Sequence, residues 1–456
     1  METDQATTAH VGIIGGGFCG LAAAYELGRR GIRATVLEQD AELGGLAGSF
    51  VVGGERLERF YHHWFTNDRH VMDLIDDLGA ADQVLLRPTR TGMYYANRFH
   101  KLSTPLDLLR FSALPFPDRI RLGLLALRAR RVRDWQTLEQ RTAADWLLEL
   151  GGERVYRVVW EPLLRGKFGA VAAEVSAVWI WNKLKLRGGS RGKGGAEQLA
   201  YFRGGFAALA ERLAAAIAAQ GGRVHTSAAV RGIEVADGRV TALDTAVGRI
   251  AVDAVIATPA LPIVAELLAP HVPPDYLARL GRIRYLANLC VVLELDRSLS
   301  ATYWLNVNDP GFPFVGVIEH TNFEPVDSYG GRHIVYLSKY LPEDDPLYRM
   351  DDAAVVDFTL GHLARMFPDL RPDWVRAAHV WRARFSQPIV ERGYAGLIPP
   401  RNTPITGLKL ATMAQIYPED RGTNYAVREG RAAAAALAAE LGAEPAAGAQ
   451  RPASMA

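Results

Sequence analysis

Three glycines, Gly15, Gly17 and Gly20, constrain this chain more than any other feature because of what flanks them. Val11 to Ile14 is a short apolar run fit for a buried strand, and Gly15-Gly16-Gly17 breaks it. The next segment, "FCGLAAAYELGR" from Phe18 to Arg29, has apolar residues at helical spacing. Gly31 ends it, and "IRATVLE" returns as a second β run. Strand, G-x-G-x-x-G, helix and strand in that order describe a unit that binds a dinucleotide. The first glycine makes the tight turn, the second lets backbone approach the pyrophosphate, and the third lets helix and strand pack closely. Phe18 and Cys19 open the helix, whose first amides and partial positive charge suit phosphate. Glu38 lies 18 residues after Gly20, at the end of the second strand, where a carboxylate can accept both ribose hydroxyls. A glycine turn in an ordinary α/β unit is the alternative, and the ordered surroundings weigh against it.

A chain of 456 residues is long for one core, so two intertwined domains are expected. It is 49% hydrophobic and 22% charged, as globular proteins are, and its net charge of +2 offers no global field for nucleic acid or membrane, although local clusters can still matter. Two cysteines, Cys19 and Cys290, are too few for a disulfide framework or a thiolate metal site, which fits a reducing cytosol. The start, "METDQATTA", lacks the basic region of a secretory signal, no apolar run is long enough to span a bilayer, and residues 443–456 read as a disordered tail. The cytoplasm is the expected location. No metal is expected, because neither H-E-x-x-H nor paired C-x-x-C occurs. "GGSRG" at 188–192 matches G-x-S-x-G but lacks the strand and helix of a nucleophile elbow. No second G-x-G-x-x-G follows a strand, so a separate NAD(P)H domain is not expected.

Gly44 and Gly45, with Leu46 after them in "AELGGLAGSF", resemble the second glycine pair of flavoproteins in the amine oxidase, protoporphyrinogen oxidase and phytoene desaturase superfamily. The resemblance continues through "YFRGGFAALAERLAAAIAAQGGRVHTSAAVRGIEVADGRV", where Gly204-Gly205 opens a helix and "GGRVHTSAAVRGI" reads as a strand. Val230 falls where the superfamily contacts adenine, and "DAVIATPALP" looks like the strand returning to the nucleotide at Thr258-Pro259. "GLKLATMAQIYPEDRGTNYAVREGRAAAAAL" is similar to the closing flavin-binding segment and puts Arg421, Gly422, Thr423 and Asn424 at the flavin end. The resemblance implies an α/β fold: a Rossmann-type FAD-binding domain (glutathione-reductase-like, second family) interleaved with an α+β substrate domain. Residues 1–89, 202–280 and 387–442 would form the first, and 90–201 with 281–386 the second. FAD would be held non-covalently, since no cysteine or histidine stands in a motif matched to covalent attachment.

A narrower resemblance, to UDP-galactopyranose mutase, lies in "FYHHWFTNDRHVMDLIDDLG" and "MYYANRFHKLSTPLDLL". It implies that His62 stands beside the isoalloxazine, where a histidine can move protons near neutral pH, while Thr66-Asn67-Asp68 matches a family triplet. Packing under the pyrophosphate loop is the alternative for His62. "WEPLLRGKFGAVAAEVSAVWIWNKLKLRGGSRGKGG" mixes tryptophans and cations, and Trp160, Arg165, Lys167, Trp181 and Arg191 are its candidates for gripping an anionic substrate. Core tryptophans and solvated cations are the competing reading. "DLLRFSALPFPDRIRLGLLALRARRVRDW" fits a membrane-surface helix reaching a lipid-linked substrate, but a core helix with a solvated arginine face is preferred. The favoured function is an FAD-dependent oxidoreductase passing hydride from a small organic substrate to flavin N5. A sugar- or isoprenoid-linked anionic substrate fits the tryptophan-rich segment. The alternative is a reduced-flavin mutase acting on a nucleotide- or polyprenyl-linked sugar without net redox change, and a non-catalytic relative is disfavoured by the intact glycines and Glu38.

Overall fold

The computed structural model describes residues 9–101, 104–187 and 198–443. Strand His10–Ile14 leads through the glycine turn into helix Phe18–Gly28, and Arg33–Leu37 returns parallel to the first strand. Both strands are buried along nearly all their length, as parallel strands covered on two faces must be. They form the middle of a five-stranded parallel sheet in the order Arg223–His225, Arg33–Leu37, His10–Ile14, Ala254–Ala257, Leu408–Leu410. Three separate stretches of chain supply this layer.

One face of that sheet carries helices Phe18–Gly28, Gly205–Ala219 and Thr423–Glu440. The first and last lie so close that a Cβ on Gly430 would come within 2.1 Å of the Cys19 carbonyl oxygen, so only glycine fits there. An antiparallel meander, Val230–Ala236, Arg239–Thr245 and Gly248–Ala251, covers the other face, with Leu243 packed over Gly12. The sequence "GGRVHTSAAVRGI" is therefore two strands rather than the one expected. The break has a cause: the Ser227 amide donates to the Asp40 carbonyl at 2.9 Å and the Ala228 amide to the Glu38 carbonyl at 2.7 Å, pinning the chain to the end of the second strand.

A seven-stranded sheet makes the second layer, in the order Val375–Pro388, Tyr285–Leu295, His333–Leu341, Gly316–Glu319, Trp304–Val307, Thr91–Tyr95, Arg98–Lys101. Its neighbours are antiparallel except Trp304–Val307 beside Thr91–Tyr95. Tyr285–Leu295 reads as one apolar run because alternate residues enter different cores. Leu289, Val291 and Leu293 pack with Val355 and Leu363 of helix Asp352–Met366, whereas Cys290 and Val292 join the core of the nucleotide unit. Asn288 continues the second row, and Ser338 and Tyr340, paired opposite Cys290 and Asn288, add polar groups to that face.

Strand Gln198–Phe202, expected in the substrate unit, instead pairs with Val84–Pro88 and Trp64–Phe65, and its Leu199 to Phe202 pack in the core that holds the first helix. Beside the large sheet the chain builds a helical layer from Pro105–Leu109, Phe116–Arg131, Ala143–Gly151, Glu161–Phe168 and Ala177–Arg187. A π turn at Tyr156–Trp160 loosens the backbone there, and the Asn308 side-chain amide donates to the Val158 and Val159 carbonyls at 3.1 and 2.8 Å. Among the described residues no helix is long and apolar enough to cross a membrane.

Candidate functional site

At the glycine turn, Gly15 has φ +102°, a conformation that disfavours any Cβ, and one added there would also meet Thr258 Oγ1 at 2.5 Å. Thr258 is fixed by donating both its amide and its hydroxyl to the Ile14 carbonyl, at 3.0 and 2.8 Å. The second glycine loop lies against the first: the Gly44 amide donates to the Gly16 carbonyl at 2.9 Å, and a Cβ on Gly45 would stand 3.3 Å from the Gly17 Cα. Helix Phe18–Gly28 begins beside this double loop with no side-chain cap, so its first turn keeps amides for a bound phosphate. Phe18 is anchored edge-on to Phe206 at 5.9 Å, and the Cys19 thiol donates to the Ala411 carbonyl at 3.1 Å.

Glu38 is buried at the end of its strand, where Oε2 accepts the Gly16 amide at 2.7 Å and Oε1 the Asp40 amide at 2.9 Å. Burial raises its pKa and the two amides oppose that rise, so the carboxylate is fixed in place without a cation. Val230 opens the meander two residues beyond the Ala228 contact with Glu38. An uncapped helix start, two stacked glycine loops and a carboxylate with no cation beside it among the described residues fit a pyrophosphate and a ribose. The flavin's nucleotide half would be held there.

From Leu46 and Gly422 to Asn424, a cavity of about 890 Å³ runs between the large sheet and the helical layer. Gly422 precedes helix Thr423–Glu440, which also lacks a side-chain cap. The Thr423 hydroxyl accepts the Trp64 indole N–H at 2.6 Å, and Asn424 Oδ1 accepts the Val71 amide at 3.1 Å. Arg421 donates from Nε to Gln387 at 3.0 Å and from its terminal nitrogen to the Tyr340 hydroxyl at 2.8 Å. These residues would hold the isoalloxazine end.

Asp420, absent from the sequence-derived candidates, organises the cavity's polar end. Its Oδ2 lies 2.7 Å from Lys183 Nζ and 3.3 Å from Lys167 Nζ, and Oδ1 accepts Gln387 Nε2 at 3.2 Å. Burial pushes the Asp420 pKa up, but Lys167, Lys183 and Arg421 together hold it well below the ordinary carboxylate value. Lys167 shows the opposite balance: burial lowers its pKa despite Asp420. Its ammonium stands 4.8 Å over the Trp179 ring and 5.3 Å over Tyr340. Asp68, also in the wall, is raised by burial to about 6 and accepts the Phe65 amide at 2.8 Å.

His62 lines the cavity with its Nδ1 2.6 Å from the Phe60 carbonyl and its ring 5.3 Å from Phe206. Burial lowers its pKa to about 4, so at neutral pH the ring is uncharged, with the proton on Nδ1 and Nε2 left as an acceptor. Among the substrate candidates, Trp160 and Lys167 reach the cavity. Trp181 does not: it is buried in the helical core and donates its indole N–H to the Ala129 carbonyl at 3.0 Å. Arg165 also points away, exposed and paired with Glu161 at 2.9 Å. Arg191, like "GGSRG", lies outside the described residues. No cluster of metal-ligating side chains occurs among the described residues.

Residues 18–438 match the sequence profile of flavin containing amine oxidoreductase. Coproporphyrinogen III oxidase of Propionibacterium freudenreichii subsp. freudenreichii is 28% identical over 190 residues, 38% of this chain and 34% of that protein, so the match spans about a third of that relative. Cyclohexylamine oxidase of Brevibacterium oxydans superposes with a TM-score of 0.70 at 19% identity over 95% of this chain and all (100%) of the other. Reduced UDP-galactopyranose mutase gives 0.70 at 15% identity over 95% of this chain and 96% of the other. The two structural likenesses carry the fold, which is the Rossmann-type flavoprotein fold with its added substrate layer. The profile match, covering nearly all the described chain, carries more: this chain belongs to the flavin-containing amine oxidoreductase family.

Proposed function

We propose that the chain binds FAD non-covalently and oxidises a small organic substrate that is anionic at one end and apolar along its body. The observation that carries this reading is one cavity with two chemistries. Lys167, Lys183 and Arg421 gather around Asp420 beside Gly422–Asn424, while Leu108, Leu163, Ile180 and Leu184 give the same cavity apolar walls. The bound flavin would supply hydride acceptance. The chain's part is to orient and desolvate. Lys167 and Lys183 draw the anionic group against the Trp179 and Tyr340 rings, and the apolar walls exclude water from the reacting carbon. Neutral His62, with Nε2 unprotonated, is placed to accept a hydrogen bond rather than to donate a proton. Burial pushes the Cys19 thiol up to about 12 and raises Cys290 as well, which supports non-covalent attachment because neither supplies thiolate near neutral pH. A porphyrinogen, as in the name of the coproporphyrinogen relative, is one substrate of this description, and an isoprenoid- or lipid-linked phosphate is another.

The test is anaerobic mixing of the oxidised holoprotein with porphyrinogens, amines, polyenes, and nucleotide- and lipid-linked sugars. The proposal expects stoichiometric loss of the oxidised flavin band with an anionic, apolar member and no added reductant. Turnover only after dithionite reduction, with no net electron consumption, would overturn it in favour of a mutase.

A further inference from the structure

Helix Phe116–Arg131 buries Leu122, Leu125 and Ala129 on one face, yet its opposite face is not the solvated arginine surface preferred from sequence. Phe116, Ile120, Leu124 and Leu127 recur a turn apart and stay outside, joined by Leu106 and Leu109 of the neighbouring helix Pro105–Leu109. All six are between 42% and 60% exposed. The two helices are tied together by Arg119, which donates to the Leu109 and Leu114 carbonyls at 2.6 and 2.7 Å, so the apolar residues form one surface. Folded chains seldom leave such a contiguous patch to water without a use for it.

The charge beside the patch is mainly positive, with exposed Asp134 at its far end. Arg128, Arg130 and Arg131 occupy the last turn, and Arg133 follows, all exposed. None of the four has a carboxylate partner among the described residues. The helix's own acid, Asp118, is turned inward and bonded to Arg121 at 3.0 Å, with Arg154 at 3.6 Å. The patch is also a mouth: Leu109, Ile120, Leu124, Leu127 and Arg130 line the cavity that ends at Arg421.

We propose that this face docks on an anionic lipid bilayer, with Phe116–Arg131 lying in the interface plane, and that the cavity opens toward the lipid to admit its substrate. An amphipathic helix with an apolar stripe and a basic rim binds such a surface by burying the stripe while the arginines reach the head groups. A second copy of the chain is disfavoured as occupant, since a two-fold contact through this face would bring the same arginines together. The proposal shares the cavity with the oxidation reading but not its chemistry, so vesicle binding and flavin bleaching fail separately.

The experiment is flotation of the flavin-loaded protein with vesicles of phosphatidylcholine alone or mixed with phosphatidylglycerol. Wild-type protein should float with the mixed vesicles, less with phosphatidylcholine alone, and less again in high salt. Phe116→Glu with Leu124→Glu should lower the bound fraction about ten-fold, and Arg128→Gln with Arg131→Gln should remove the preference for phosphatidylglycerol. Flavin content and thermal midpoint check that each variant is folded. Wild-type protein that stays in solution with the mixed vesicles would overturn the proposal, as would a folded glutamate variant that floats as well as wild type. A wild-type dimer that the glutamate pair converts to monomer, without vesicle binding, would assign the face to a second copy instead.

Discussion

Neutralising Asp420 tests whether the polar end of the cavity is held by one shared carboxylate. At an effective dielectric of about 20, contacts of 2.7 Å to Lys183 and 3.3 Å to Lys167 correspond to about 6 and 5 kcal/mol of gross attraction. Desolvation takes back much of this, but Asp420→Asn removes the carboxylate that Lys167, Lys183 and Arg421 share. Removing one partner from a buried cluster costs about 3–5 kcal/mol. Lys167→Met should behave differently. Its ammonium is disfavoured by burial even with Asp420 present, and Asp420 keeps Lys183 and Arg421, so the loss should stay near about 1 kcal/mol. The assay is urea unfolding of both variants at neutral pH, followed by flavin release and tryptophan fluorescence. The depressed Asp420 pKa contributes stability above the unfolded value, lost only as pH falls through the folded one. The wild-type advantage over Asp420→Asn should therefore be flat near neutrality and shrink only in acid below the ordinary aspartate value. Equal losses in the two variants, or a loss below about 1 kcal/mol for Asp420→Asn, would refute the shared-carboxylate account.

Glu38→Ala should weaken FAD binding by about 3 kcal/mol, roughly the worth of charge-assisted bonds to the ribose, as read by titrating apoprotein with FAD and following flavin fluorescence. Unchanged affinity would displace Glu38 from the ribose site. Glu58 is buried and accepts the Tyr201 hydroxyl at 2.6 Å and the Phe206 amide at 2.7 Å, and burial raises its pKa to about 7. A raised carboxylate pKa stabilises below the unfolded value of 4.5 and is lost as pH climbs through about 7, so Glu58→Gln should gain thermal midpoint relative to wild type at pH ~8 compared with pH ~5. A midpoint difference independent of pH would show that Glu58 does not titrate in that window.

The glycine loops of the proposed cofactor half were legible because local backbone demands write them into sequence. Gly15 needs positive φ, and Gly44-Gly45 must stack on Gly17, so glycine spacing alone marks the place. The substrate half follows no such rule. Lys167, Lys183 and Asp420 come from three distant elements, and no spacing joins them before the chain folds. Adjacency also misled at two points. Two residues along a helix differ by about 200° in direction. Trp179 and Lys167 therefore face the cavity while Trp181 turns into the core and Arg165 into solvent. Leucines on both sides of Phe116–Arg131 carry the same ambiguity, because composition does not say which side has a neighbour.

The close approach of Gly430 to Cys19 also bears on the order in which the protein becomes competent. The first glycine turn leaves the ribosome early, but the strand Leu408–Leu410 that flanks Ala254–Ala257 and the helix Thr423–Glu440 that covers Phe18–Gly28 emerge hundreds of residues later. Until then Cys19 and Ala23 lack the close cover that the late helix provides, and Arg421–Asn424 is missing from the cavity. The nucleotide layer is thus completed only after the substrate layer has been translated.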